Sequence, residues 1–212
     1  MKLSAPDFSL YFILDYDFAL SVKKNPVSVL RAALKGGATA VQLRAKSLET
    51  LDFYALSVVC QKVCALHNVP FIINDRADLA LAVNAIGLHI GQSDLPYSVA
   101  KTLLGKNKII GISASTEKEA LLADTLKASY IGFGPVFPTS TKIAKVFDIK
   151  KLPALVKKIK TPLVAIGGIK EYTIKTLSAL GIKNFALISE ITAAENIKEK
   201  TKNILAKIKN FK

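Results

Sequence analysis

What the sequence lacks already excludes several kinds of protein. None of its apolar stretches, such as residues 55–59 and 79–83, comes near the ~18 residues a membrane-spanning helix needs. No segment is therefore expected to cross a bilayer. Lys2 precedes an apolar run at 10–14, but Asp7 and Asp15 bracket that run and no small-residue cleavage site follows, so the expected address is cytoplasmic rather than secretory. Cysteine is scarce: Cys60 and Cys64 stand four apart in a predicted helix, without the Cys-x-x-Cys spacing of a zinc or redox site, and read as packing thiols. Only two histidines occur, His67 in a predicted helix and His89 in a predicted strand, and no Ser-His-Asp or Cys-His set emerges. Arginine is limited to Arg31, Arg44 and Arg76. The formal charge of +14 comes from lysines spread over many predicted helices, which suits a solvated exterior better than a base-reading surface. No nucleic-acid partner is expected.

No Pro-, Gly- or Ser-rich linker interrupts the 212 residues, half of which are apolar and 22% charged, so one continuous domain over 1–212 is expected. Disorder and fibrous repeats do not fit this composition. Eight short apolar runs stand out, at 10–14, 40–43, 70–73, 87–90, 108–112, 130–133, 163–166 and 184–188. They are nearly continuous in hydrophobicity rather than alternating, the pattern of strands buried on both faces of a parallel sheet. Helical periods lie between them, at 27–35, 51–67, 77–83, 97–104, 117–126, 149–158, 171–180 and 194–209. Ser47 reads as the cap of the second helix, and Thr116 with Glu119 has capping-box spacing. The stripe Ile197, Ile204, Leu205, Ile208 and Phe211 reads as the face by which the last helix closes the structure. Eight strand-helix units predict an α/β fold, a closed (β/α)₈ TIM barrel. A doubly wound open sheet is the alternative, but it would want a Gly-rich turn after its first strand, where Asp15-Tyr16-Asp17-Phe18 stands.

In such a barrel the carboxyl ends of all strands open onto one mouth, so polar residues there converge. Gln42, Arg44 and Lys46 recur with period two after the second strand and face one way, two cations and an amide suited to an anion. Asn74 and Asp75 end the third strand and Asp94 follows the fourth. Hard oxygen ligands without a His or Cys cluster favour Mg²⁺, which takes one or two carboxylates plus substrate phosphates. The alternative for each aspartate is capping of the next helix. Ser113 brings a hydroxyl to the mouth from the fifth strand. The sixth runs into a loop bearing Thr139, Ser140, Thr141 and Lys142, which suits an oxyanion or is ordinary turn chemistry. Gly167 and Gly168 after the seventh strand, with Ile188 and Ser189 ending the eighth, fall where this architecture recurrently binds phosphate, although paired glycines also serve tight turns.

Four stretches taken together, Gln42-Leu43-Arg44-Ala45-Lys46, Ile73-Asn74-Asp75-Arg76, Gly91-Gln92-Ser93-Asp94 and the run from Gly134 to Lys142, resemble thiamine-phosphate synthase. The resemblance extends from the first strand to Ser189. It implies a Mg²⁺-dependent transferase joining hydroxymethylpyrimidine pyrophosphate to a thiazole phosphate, with thiamine phosphate and pyrophosphate as products. Carried over by position, Gln42, Arg44, Lys46, Asn74, Ser113 and Lys142 would hold the pyrimidine pyrophosphate, and Arg44, Lys46, Ser113 and Lys142 would be the catalytic groups. Asp75 and Asp94 would bind the metal. Thr139, Thr141, Gly168, Ile188 and Ser189 would hold the thiazole phosphate. The partners implied are small molecules, with no membrane; a homo-oligomer is compatible with the sequence.

Two departures from the family pattern stand out. Ser115 lies where many relatives carry His, and Glu190 puts an acid beside the expected phosphate site unless it turns outward with the following helix. The related thiazole tautomerase leans on a His near the fifth strand, and Ser115 stands in that region. A non-catalytic binder of thiamine precursors is the remaining alternative, and the pair Asp75 and Asp94 argues against it.

Overall fold

The computed structural model describes residues 6–139 and 145–211. Eight parallel strands close a barrel in chain order: β1 (Leu10–Asp15), β2 (Ala40–Arg44), β3 (Phe71–Asn74), β4 (Gly87–Ile90), β5 (Ile109–Ala114), β6 (Tyr130–Phe133), β7 (Leu163–Ala165) and β8 (Asn184–Leu187). Closure is the pairing of β1 with β8, Leu10 to Phe185 through Phe12 to Leu187. The helices are α1 (Tyr16–Ser21), α2 (Pro26–Lys35), α3 (Thr50–Leu66), α4 (Ala77–Ala82), α5 (Tyr97–Leu104), α6 (Glu117–Thr125), α7 (Leu152–Lys158), α8 (Ile174–Ala179), α9 (Ser189–Thr192) and α10 (Ile197–Asn210). All eight expected strands and helices are present. The short helices α1 and α9 are additions, each too brief to leave a helical period in the sequence.

Both faces of every strand are covered, which is why the strand runs lack alternation. Leu10, Phe12 and Leu14 of β1 join the large apolar layer beneath the helices, while Tyr11 and Ile13 point into the barrel beside Ile72, Ile109, Tyr130 and Val164. Room inside comes from an absent side chain. A Cβ on Gly111 would lie 2.1 Å from Cζ of Tyr130, so only glycine lets that ring cross the interior.

The Thr116 and Glu119 capping box is formed at α6. Ser47 does not cap α3, whose N-cap is Glu49. The Ser47 hydroxyl instead donates to the carboxylate of Asp17, in the first turn of α1. In α10, Ile197, Ile204 and Ile208 are buried as expected, and Leu205 packs against the core; Phe211 stays exposed. Gly36 admits this helix, since a Cβ there would lie 2.5 Å from the Lys198 carbonyl oxygen. Cys60 and Cys64 are unpaired and buried within α3, and burial pushes the Cys60 thiol up to about 12 and the Cys64 thiol further still. Among the described residues, no helix is long and apolar enough to cross a membrane.

Candidate active site

The carboxyl ends of the strands enclose a cavity of about 480 Å³. Its lining includes Gln42, Arg44, Lys46, Asn74, Asp75, Asp94, Ser113 and Thr139, eight of the residues expected at the mouth. One wall is polar, drawn from β2 to β5; Ile13, Val164, Ile166, Ala186 and Ile188 supply an apolar wall opposite. A smaller recess beside it gathers Thr139, Gly168, Ile188 and Ser189. Thr141 and Lys142 lie outside the described residues.

Each polar group is held by a neighbouring element. Arg44 Nη1 donates to Oδ2 of buried Asp15 at 2.5 Å, and Asp15 Oδ1 accepts the Phe18 N–H at 3.0 Å, so the cap of α1 also fixes the guanidinium. Asp17 accepts the backbone N–H of Lys46 at 2.9 Å and aims the chain that carries its ammonium, which pairs with Asp75. Asp15 and Asp17 are supporting residues that sequence reasoning passed over; two acids flanking an aromatic after a strand were the only signal, and it does not reveal the partners 29 residues away.

Neither Asp75 nor Asp94 caps a helix, because α4 starts from Arg76 and α5 from Pro96. Asp75 adopts φ 63°, a left-handed conformation that Asp tolerates better than most residues, and its N–H donates to the His89 carbonyl at 2.8 Å. Asp94 Oδ2 accepts the Gly91 N–H at 2.7 Å. The two carboxyls are close enough to influence each other's protonation. Burial, then the neighbouring Asp94 carboxyl, hold the Asp75 carboxyl above its ordinary value despite Lys46. Burial also pushes Asp94 up, but the neighbouring Asp75 carboxyl, the Gly91 N–H and Lys46 outweigh it and leave Asp94 below the usual range. Two oxygen donors side by side, with no grouping of three or more His, Cys, Asp or Glu among the described residues, fit Mg²⁺ completed by substrate phosphate and water; they do not fit a closed structural metal site.

Gly167 and Gly168 have φ 92° and 63° and serve a tight approach of protein to protein: a Cβ on Gly168 would lie 2.3 Å from the Pro138 carbonyl. They seat the loop after β6 against the one after β7, with Phe137 N–H donating to the Gly167 carbonyl at 3.1 Å. That seating brings Thr139 beside Gly168 and Ser189.

A model of the thiamine monophosphate synthase family matches residues 10–191. The chain belongs to that family. Relatives in it include the thiamine-phosphate synthases of Persephonella marina, 43% identical over 97% of this chain and 98% of the relative, and Methanobrevibacter smithii, 41% identical over 96% of each. Among solved structures, the thiamine phosphate pyrophosphorylase of Pyrococcus furiosus superposes with a TM-score of 0.86 at 33% identity, covering 95% of this chain and 96% of that one. The orotidine 5′-phosphate decarboxylase of Pyrococcus horikoshii, at 11% identity and a TM-score of 0.69, shares the barrel alone.

The two departures from the thiamine monophosphate synthase pattern have structural explanations. Glu190 turns away from both cavities: its carboxylate pairs with Lys170 at 3.1 Å and Lys200 at 3.3 Å and accepts the Glu171 N–H at 3.3 Å. Ser115 donates to Glu119 Oε2 at 2.9 Å and reinforces the cap of α6.

Proposed function

We propose that this chain joins hydroxymethylpyrimidine pyrophosphate to a thiazole phosphate, releasing pyrophosphate and forming thiamine phosphate with Mg²⁺. The observation that carries this reading is the two-walled cavity, cationic and acidic on one side and apolar on the other, with a hydroxyl- and amide-lined recess adjoining it. The apolar wall suits the flat heterocycles, and the polar wall suits a pyrophosphate. Arg44, held by Asp15, and Lys46, held through Asp17, would bind the leaving oxygens, with Ser113, Asn74 and Lys142 completing the set. Gln42 would take the pyrimidine end of that substrate. Thr139, Thr141, Gly168, Ile188 and Ser189 would hold the thiazole phosphate.

The reaction breaks the bond between the pyrimidine methylene carbon and the pyrophosphate oxygen and forms one from that carbon to the thiazole nitrogen. Charge accumulates on the departing oxygens, so fixed cations and donors in a dry mouth are what lower the barrier. Mg²⁺ held by Asp75 and Asp94 would neutralise part of that charge. The thiazole nitrogen already carries its lone pair, and the protein's remaining task is to hold it in line. No general base is needed, in keeping with a mouth that lacks a Ser-His-Asp arrangement among its described residues. The thiazole tautomerase alternative gains no support, since Ser115 is committed to Glu119.

The test is incubation with both phosphorylated precursors, with and without Mg²⁺, scored for thiamine phosphate. Product is expected only with metal, with activity lost in folded Asp75→Ala and Lys142→Ala. Product formation untouched by a chelator overturns the metal assignment; a folded protein that binds a precursor and never turns it over is a binding protein.

A further inference from the structure

Below the polar wall, five side chains from five strands form one line of hydrogen bonds across the barrel. Gln42 Nε2 donates to the Tyr11 hydroxyl at 2.8 Å; the Tyr11 and Tyr130 hydroxyls lie 2.8 Å apart; Tyr130 meets His89 Nδ1 at 2.9 Å; and His89 Nε2 meets Ser113 Oγ at 2.8 Å. Gln42, Tyr11, Tyr130 and His89 are all buried. None of the assigned roles uses the three central rings.

We propose that this line fixes the direction of the Ser113 hydroxyl, making His89 a positioning residue that presents Ser113 to the substrate's pyrophosphate as a hydrogen-bond donor. The inference rests on the pyrophosphate reading of the mouth. Its logic is a count of protons. The Gln42 amide nitrogen carries only donors, so the Tyr11 oxygen accepts; either hydroxyl can donate across the Tyr11–Tyr130 contact, and the proposed order gives Tyr11's single proton to Tyr130. Tyr130, having accepted, gives its proton to His89 Nδ1. An accepting Nδ1 leaves the imidazole proton on Nε2, which donates to Ser113 Oγ. Ser113 accepts on its barrel side, and its own proton is turned to the cavity it lines. Burial raises both phenols far above their ordinary range, so they remain protonated carriers of this order. The interior is shaped for the line. Besides the space at Gly111, a Cβ on Gly132 would press within 3.0 Å of His89 Cε1.

A serine free to rotate could as readily turn a lone pair toward an anion. Fixing the proton outward before substrate arrives removes that reorganisation, which is how preorganised donors contribute to catalysis.

With two histidines in the chain, the experiment is direct: ¹⁵N NMR of the imidazole nitrogens, with exposed His67 assigned by His67→Gln. His89 is expected to carry its proton on Nε2. Gln42→Glu puts an acceptor at the head of the line, so the whole order should reverse and the His89 proton move to Nδ1. Tyr130→Phe should abolish the single tautomer. Calorimetry with inorganic pyrophosphate and Mg²⁺ reads the consequence. Ser113→Ala should weaken binding about tenfold, as for loss of a hydrogen bond to a charged group. Tyr130→Phe should also weaken it, and the double variant should bind no worse than Ser113→Ala alone. A wild-type His89 protonated on Nδ1, or losses that simply add, overturns the proposal. Wild-type protein that keeps the Nε2 proton yet neither binds pyrophosphate nor makes thiamine phosphate supports the proton order and overturns the reading of the reaction instead.

Discussion

Asp75 with Asp94, and Glu171 with Glu190, are both pairs of acids brought together from neighbouring strand ends, and they are balanced very differently. The glutamates meet three lysines: Lys170 and Lys200 on Glu190, Lys200 and Lys207 on Glu171. Among the described residues, the aspartates have one ion pair, between Lys46 and Asp75. Lys207 above all, joined by Lys200, holds the Glu171 carboxyl below its ordinary value against the opposing effect of burial, whereas Asp75 sits above its own. The balanced pair is an anchor between the β8 end and α10. Among the described residues the aspartate pair has the fewer cations beside it, and a bound cation would relieve the proximity of its two carboxyls.

The strongest way to break this comparison is to remove the unbalanced charge. Asp75→Asn and Asp94→Asn should each lower the rate of thiamine phosphate formation by about 10²-fold or more, the scale of losing one electrostatic contact to a developing charge. Assayed without ligands, Asp75→Asn should melt no lower than the parent, because burial and the neighbouring Asp94 disfavour the charged form of Asp75. A lower melting temperature would mean that the aspartates are structural. Mg²⁺ with pyrophosphate should raise the melting temperature of the parent protein. At 100 times the dissociation constant the gain is about 2.7 kcal/mol, and Asp75→Asn should show little of it.

Breaking the balanced pair should do the reverse. Glu190→Gln is expected to cost about 1 kcal/mol, or roughly 2–4 °C by calorimetry, with the Mg²⁺ dependence of activity unchanged. The smallest effect, and the sharpest, is in pH. Glu171, lowered on folding, contributes stability that is present above the usual glutamate value and lost as pH falls through its folded value. Asp75, raised on folding, binds its proton more tightly in the native state, so its contribution falls as pH rises from the usual aspartate value through its folded one. Denaturation followed across pH should therefore show Glu171→Gln flattening the acid limb and Asp75→Asn removing a decline at slightly higher pH.

Fold and site differ in how far they can be read from sequence. Strands such as Phe71–Asn74 and Tyr130–Phe133 are legible because burial on both faces leaves unbroken apolar runs. The mouth residues are legible because position at a strand end is enough to bring Gln42, Asp94 and Ser113 together. Partnerships are another matter. Tyr11 and Tyr130 sit inside apolar runs and read as packing, and only barrel geometry, with the space left by Gly111, places their hydroxyls in contact. The orientation of Glu190 is set by lysines from two other segments, so its own neighbourhood gives no sign of it.

Pairing of Leu10–Phe12 with Phe185–Leu187 seals the barrel. On a ribosome adding roughly 5–20 residues per second, β1 waits on the order of ten seconds for that neighbour. Until then one flank of the first-made strand is open to any stray strand, and the nascent chain has no cavity to offer a ligand. Small molecules that favour the native state can therefore stabilise only chains whose eighth strand has already emerged.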